Sequence, residues 1–328
     1  MAGRGTRLRP HSLTTPKPLL PVAGPMLIER IVHSFVDSLN RDITEIAFVL
    51  GDFGREVEER LAAMARSFGA KPSFYYQEEA LGTAHAVNCA APSLSGEVIV
   101  AFADTLFRVD GEIDLAGADS VIWLKKVKDP SRFGVAVIEE GRITGFVEKP
   151  TEPVSDMAII GVYYFRDGAR LQQELQYLMD NDIRGHKREF DLTDAIERLL
   201  RQNAVFRAAD VSEWLDFGTI PAWLDSTAAV LDTLSPQQIA ADAYPDTKII
   251  PPCHIGENVE ISGSTIGPYA SIGDHCVIEN SEITNSIIRD HAHILNSKLH
   301  KSTAGVSAEI DSCRQEIHVG DFSVIREA

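Results

Sequence analysis

"GRGTRLRPHSLTTPKPLLPV", residues 3 to 22, decides how the rest of the chain is read. Gly3 and Gly5 permit close backbone approach, Arg4, Arg7, Arg9 and Lys17 supply cations, and no acidic residue precedes Glu29. A glycine turn points backbone N–H groups into one concavity, and guanidinium forks with an ammonium neutralise an anion held there. Pro16 and Pro18 fix φ on both sides of Lys17, so its ammonium is aimed rather than free. Together these features describe a polyphosphate cradle. A merely flexible basic N-terminus needs neither the proline-locked lysine nor the apolar Leu19-Leu20-Pro21-Val22 that follows.

Beyond the cradle, Leu27, Ile28, Ile31, Val32 and Phe35 recur at helical spacing, so a helix over Met26 to Leu39 leaves the loop. Such a helix N-terminus is where phosphate collects. Ile43 to Leu50 reads as a strand, Gly54 to Phe68 as a helix and Pro72 to Tyr76 as the next strand. The alternation calls for an α/β fold with a parallel sheet, helices on both faces, and ligands at the carboxyl ends of the strands.

The gapless run from Gly3 to Val22 resembles the signature of the sugar-phosphate nucleotidyltransferases, which join a sugar 1-phosphate to a nucleoside triphosphate and release pyrophosphate. The resemblance implies a Rossmann-like domain with a mixed or parallel sheet, Mg²⁺ as cofactor, and Arg4, Arg7 and Lys17 as the catalytic cations. It makes Gly3, Gly5 and Thr6 part of the nucleotide site. Family members carry a hydrophobic strand ahead of the glycine loop, central in the sheet, where this sequence has Met1-Ala2. The expectation is therefore a start upstream of Met1. Gly24-Pro25-Met26 also lacks the basic residue that the family usually places between Gly and Pro, and with it a phosphate contact.

Gln77-Glu78-Glu79-Ala80-Leu81-Gly82-Thr83 stands at a strand end and opens a helix. Gln77 offers a carbonyl and an amide to a pyrimidine edge, and Gly82 lets a base approach the backbone. On the residues alone, a loop glutamine and a Gly82-Thr83 helix cap are the favoured reading. The resemblance makes Gln77, Gly82 and Thr83 base-binding positions, closer to the thymidylyl- and uridylyltransferases than to the guanylyl-specific branch. His85 reads as a helix histidine with its hydrogen bonds satisfied.

Val98 to Phe102 is an apolar strand, and Asp104 beyond it is either a turn former or a Mg²⁺ ligand facing bound phosphates. Ala103 stands where the family's matching pair begins with glycine. Strands over Val121 to Lys126, Phe133 to Glu139 and Ile143 to Val147 lead to Glu148-Lys149-Pro150. In isolation that is a surface ion pair. With Gly134 upstream and Gly161 downstream, Glu148 and Lys149 resemble the family's sugar-1-phosphate site. Helices over Leu171 to Met179 and Leu192 to Leu200 and a strand at Ala204 to Ala208 precede Trp214-Leu215-Asp216-Phe217-Gly218-Thr219, where Asp216 is the second candidate metal ligand. Pro221 to Leu234 closes the domain as a helix.

From Ile249 the period changes. Ile255, Ile261, Ile266, Ile272, Ile278, Ile283, Ile288, Ile294 and Leu299 recur every five or six residues, the hexapeptide pattern of a parallel β-helix. About four coils fit before the pattern dissolves near Ala304. Some members of the resembled family carry a left-handed β-helix tail. The organisation expected is thus a catalytic domain over 1–235, a linker over 236–248 and a left-handed β-helix over 249–328 that serves in homo-oligomer formation or as a lid. His291, His293 and His300 keep an acetyltransferase reading open.

With 328 residues, 44% hydrophobic and 24% charged, the chain has the composition of a globular protein of two domains. A net charge of -17 argues against nucleic acid as a partner, and no stretch approaches a membrane span, so the expected setting is the cytoplasm. Cys89, Cys253, Cys276 and Cys313 are too scattered for a zinc site or a disulfide framework and read as buried thiols. The chemistry expected is attack by a sugar 1-phosphate oxygen on the α-phosphorus of dTTP or UTP. A guanylyltransferase on mannose 1-phosphate, a bifunctional acetyltransferase and a non-catalytic regulatory homologue are the competing readings.

Overall fold

The computed structural model describes residues 5–39, 41–140, 142–152, 154–237 and 243–326. It divides into two compact units. One is formed by the described residues of Ile31–Trp214, and the other joins the described residues through Arg30 to those from Leu215 onward.

In the first unit the helical run begins as α1 (Leu27–Leu39), and then β1 (Glu45–Leu50), α2 (Arg55–Ser67) and β2 (Lys71–Tyr76) follow as the apolar periodicity predicts. β1 and β2 pair in parallel. Next come α3 (Thr83–Cys89), β3 (Val98–Ala101), β4 (Thr105–Arg108), β5 (Ser120–Lys126), β6 (Gly134–Glu139), β7 (Arg142–Glu148) and β8 (Met157–Phe165). α4 (Gly168–Asp180), α5 (Leu192–Arg201) and β9 (Phe206–Asp210) complete the layer; β10 (Glu213–Asp216) begins in this unit, and its last two residues and α6 (Ile220–Thr233) belong to the second.

The main sheet runs β7-β6-β8-β5-β9, with β3 also on β8. It is mixed rather than the parallel sheet that simple alternation calls for. β8 lies antiparallel to β3, β5 and β6, while β5 and β9 are parallel. Hairpin-like connections such as β6–β7 allow this, because antiparallel neighbours need no helical crossover. Among the described strands, β1 pairs with β2 alone and β3 with β8 alone. Covered on both faces, β8 is apolar along most of its length, with Ala158, Val162 and Phe165 almost inaccessible. α5 lays Leu192, Ala195, Ile196 and Leu199 into the same core as Ile122, Leu124 and Phe206. The spacing of those four residues is one helix stripe.

Besides residues 5–30 and α6, the second unit holds a parallel solenoid. Inward ladders stack Ile249, Ile266, Ile283 and Leu299; Ile255, Ile272, Ile288, Ala304 and Val319; and Ile261, Ile278, Ile294, Ile310 and Ile325. The aliphatics read from the sequence are its rungs. The expected end near Ala304 is wrong: the two longer ladders run five rungs deep, to Val319 and Ile325. Ala304 and Cys313 fill inward space without a large aliphatic, and a run centred on Gln315 forms no strand, so the period breaks while the coil continues. Serine hydroxyls tie coil to coil, as where Ser264 accepts from Ser281 N and Ser281 from Ser297 N. Of the four cysteines, all free, Cys276 and Cys313 are buried as expected, whereas Cys89 and Cys253 are only half-buried. Among the described residues no helix is long and apolar enough to cross a membrane.

Candidate active site

Gly3 and Arg4 lie outside the described residues. Gly5 opens a short 3-10 turn, Thr6–Leu8, from a left-handed conformation, and its carbonyl accepts from Leu8 N and from Ser12 Oγ. Thr6 and Arg7 are exposed on that turn. Lys17 is half-buried at the start of a second turn, with its Cβ 3.4 Å from where a side chain on Gly5 would begin. The cradle stretch therefore folds back so that Gly5 and Lys17 are neighbours.

Asp216, at the end of β10, belongs to the same unit. A Cβ placed on Gly218 would stand 3.0 Å from Asp216 Oδ1 and 3.2 Å from an Arg7 guanidinium nitrogen. A side chain there would make both charged groups give way by a few tenths of an ångström. Gly218 N donates to Asp216 Oδ1 at 2.8 Å, and among the described residues no hydrogen bond or ion pair reaches Oδ2. Arg7 and Asp216 thus face one backbone gap, and among the described residues no ion pair joins them. The guanidinium remains available to an anion and the carboxylate to a cation.

The other candidates belong to the first unit. Gln77 is buried at the end of β2; its amide nitrogen donates to Gly82 O and to His85 Nδ1, both at 3.0 Å. A carbonyl can only accept, so the amide orientation is fixed and Oε1 is the atom left to meet a ligand. Gly82 has φ +117, and a Cβ on it would lie 2.5 Å from Phe190 O. The close approach that requires glycine here is thus made by the protein's own backbone, with Ala84 N donating to Phe190 O and Phe190 N to Leu81 O. Thr83 Oγ1 accepts from Leu192 N at 2.9 Å, tying α3 to the start of α5.

Asp104 is exposed in the turn between β3 and β4, with Thr105 Oγ1 3.5 Å from its Oδ1. Gly161, with φ +83, is covered by the Phe102 ring, which a Cβ would meet at 2.6 Å. At Gly134, by contrast, a Cβ would collide with Glu148 Oε2 at 2.8 Å, so the glycine lets that carboxylate lie over the backbone. Glu148 Oε2 accepts from Thr193 Oγ1 at 2.7 Å, and Lys149 Nζ pairs with Oε1 at 2.7 Å. Glu148 borders a cleft of about 450 Å³ that also includes Asp191, Asp194, Glu197 and Arg201. Burial, and then the charges of Glu148 and Glu197, push the Asp194 carboxyl above its usual range. Its Oδ2 is buried with no hydrogen-bond partner among the described residues.

Sequence reasoning misses the parts of Thr193 and Gly218, and it places His85 as a satisfied helix histidine without naming Gln77 as its partner. Each stands within a stretch that was singled out, but its partner lies across the fold or, for His85, eight positions away in the next element.

Residues 1–233 match the Nucleotidyl transferase family. This chain belongs to that family. Among nucleotidyltransferases, it is 32% identical over 311 residues to a glucose-1-phosphate thymidylyltransferase of Streptomyces antibioticus, covering 87% of this chain and 85% of the other. It is 31% identical over 268 residues to the bifunctional protein GlmU of Methanococcus aeolicus, covering 81% of this chain and 58% of that protein. A Bacillus anthracis protein, solved with sucrose as a candidate glucose-1-phosphate thymidylyltransferase, superposes with a TM-score of 0.58 at 25% identity, over 72% of this chain and 95% of that one.

Sugar nucleotidyltransferases generally use a divalent metal. Asp216, with one carboxylate oxygen open, and the exposed Asp104 have the hard oxygen donors that Mg²⁺ takes, usually one or two from protein with the rest from phosphate and water. Among the described residues no three acidic, His or Cys side chains converge as a protein-only cage.

Proposed function

We propose that this nucleotidyltransferase transfers a thymidylyl or uridylyl group from dTTP or UTP to a hexose 1-phosphate, with glucose 1-phosphate as the preferred acceptor, and releases pyrophosphate. The observation that carries the reading is the placing of Arg7 and Asp216 about one glycine, cation and carboxylate both open to a metal-bound polyphosphate. A phosphate oxygen of the sugar 1-phosphate forms the new bond to the α-phosphorus while the bond to the β-phosphate oxygen breaks. That nucleophile is already anionic at neutral pH, so no Ser, Cys or His base is needed. Catalysis reduces to orienting two anions and offsetting their repulsion.

In this reading Arg7 and Lys17, with Arg4, hold the triphosphate, and Asp104 and Asp216 hold Mg²⁺, which when bound would spread the charge developing on the leaving pyrophosphate. Gln77 Oε1 accepts the imide N–H of thymine or uracil, a donor that cytosine and adenine lack. Glu148, oriented by Thr193, accepts from sugar hydroxyls, and Lys149 meets the sugar phosphate. Guanine N1–H also donates, so guanylyl transfer is the second reading.

The test is pyrophosphate release by the purified chain with Mg²⁺ and glucose 1-phosphate, with dTTP, UTP, GTP, ATP and CTP compared. Turnover confined to dTTP and UTP is expected. Preference for GTP would replace this reading by the second, and no turnover with any of the five would end both.

A further inference from the structure

The stretch that carries Lys17 is gripped by the solenoid of its own unit. At one end a Cβ on Gly320 would stand 3.0 Å from Pro10 Cβ. At the other, Gly24 has φ +98 and lies under the His254 ring, which a Cβ would meet at 2.6 Å. Between them the fully buried His11 places Nε2 2.7 Å from Thr303 Oγ1, a hydroxyl also 3.1 Å from His318 Nδ1. Arg289 then donates to Thr15 Oγ1 at 2.8 Å and to Asp321 Oδ1 at 2.9 Å, while Thr14 Oγ1 donates to Asp321 Oδ2 at 2.5 Å.

The Arg289 and Asp321 side chains are each only 6% exposed. Removing such a pair from water costs about as much as its attraction returns, so stability alone is a weak reason for it. What the pair does have is directionality. Asp321 Oδ1 also accepts from Val306 N at 2.8 Å, so the carboxylate is fixed to the solenoid backbone and in turn fixes the guanidinium. Thr15 is two residues before Lys17, and Pro16 leaves little freedom between them.

We propose that Arg289 and Asp321 are positioning residues for the nucleotide site. Through the hydroxyls of Thr14 and Thr15 they set where Lys17 stands, which gives the solenoid a part in triphosphate binding. This rests on reading Gly5 to Lys17 as the phosphate-binding stretch.

The experiment compares the full-length chain with Thr15→Val, Arg289→Gln and the double variant. It measures KM for dTTP and for glucose 1-phosphate, and hydrogen exchange of the amides of residues 5–20 without nucleotide. Each single variant is expected to raise KM for dTTP by roughly fivefold or more, the effect of losing one well-formed hydrogen bond, while KM for glucose 1-phosphate stays within about twofold. The double variant should be no worse than Arg289→Gln alone, because both remove one interaction, and the amides of residues 5–20 should exchange faster in all three. Unchanged KM for dTTP, an equal rise for both substrates, additive effects, or unaltered exchange would overturn the proposal. If Arg289→Gln fails to fold, Thr15→Val decides by the same criteria. A wild-type chain that turns over no nucleotide would defeat the transfer reading instead, and the exchange rates would still decide whether the solenoid holds the stretch.

Discussion

Gln77 donates an amide hydrogen to Nδ1 of His85 across 3.0 Å, which fixes what the glutamine has left to offer. With its second amide hydrogen on Gly82 O, only Oε1 remains for a base. Replacing Gln77 by Leu removes that acceptor and is expected to raise KM for dTTP roughly 10-fold or more while leaving KM for glucose 1-phosphate near its original value. His85→Leu should have a smaller effect in the same direction, because the amide is then held at one point instead of two. Steady-state kinetics with each substrate varied in turn checks both, and a Gln77→Leu enzyme with unaltered nucleotide KM would remove the residue from the base site.

Asp216→Asn keeps the shape of the side chain and its bond to Gly218 N but removes the charge that faces the same gap as Arg7. Turnover should fall by roughly 10²–10³-fold, the scale of losing one preorganised charge at a transferring phosphoryl group, with the circular dichroism spectrum unchanged. Chelation of divalent metal should stop turnover in the unaltered enzyme and addition of Mg²⁺ restore it. Wild-type rates in Asp216→Asn would rule out the assignment.

Burial, then the neighbouring Arg289, holds the His11 imidazole down at about 4, against a weaker upward pull from Asp321 and a further downward one from His318. The unfolded chain takes up this proton near pH 6.5, the folded chain only near 4. The stability that a neutral His11 contributes is therefore complete above pH 6.5 and is lost as pH falls from 6.5 towards 4, to a limit of roughly 3 kcal/mol. Thermal melts across that window should show a decline that is much flatter in His11→Gln. Parallel profiles would show that His11 does not carry the effect.

Asp194 behaves in the opposite sense. Its raised carboxyl pKa means that the folded chain holds the proton more readily than the unfolded one, so the charged form costs stability at neutral pH and that cost fades on acidification. Asp194→Asn should melt higher than wild type at neutral pH, with the gap closing as the buffer is made acidic. A gap that stays constant with pH would place the effect in packing rather than charge.

The helices from α1 to α6 and the solenoid rungs were legible because their signal is periodic and local: Ile261, Ile278 and Ile294 announce themselves by spacing alone. A mixed sheet was among the expectations the resemblance raised, but which strands run antiparallel was not legible, since the apolar run of β8 reads the same whichever way its neighbours point. The motif residues Gln77, Glu148 and Asp216 were found by pattern, yet what fixes them was not. Thr193 meets Glu148 from 45 positions away, and Arg289 meets Thr15 from 274 positions away. Gly82 reads as a ligand contact because glycine permits close approach, and Gly161 by the resemblance, but sequence does not say what approaches either. In both cases the neighbour is the chain itself, Phe190 backbone and Phe102 ring.

The distribution of sulfur along this fold provides two natural labelling handles. Cys276 lies in the solenoid core, where burial pushes its thiol up to about 12, and Cys313 is equally inaccessible. Maleimide dyes at neutral pH therefore reach Cys89 and Cys253 first, one in each compact unit. The denaturant concentration at which the inner pair becomes reactive would report when the coil opens, with no engineered residue.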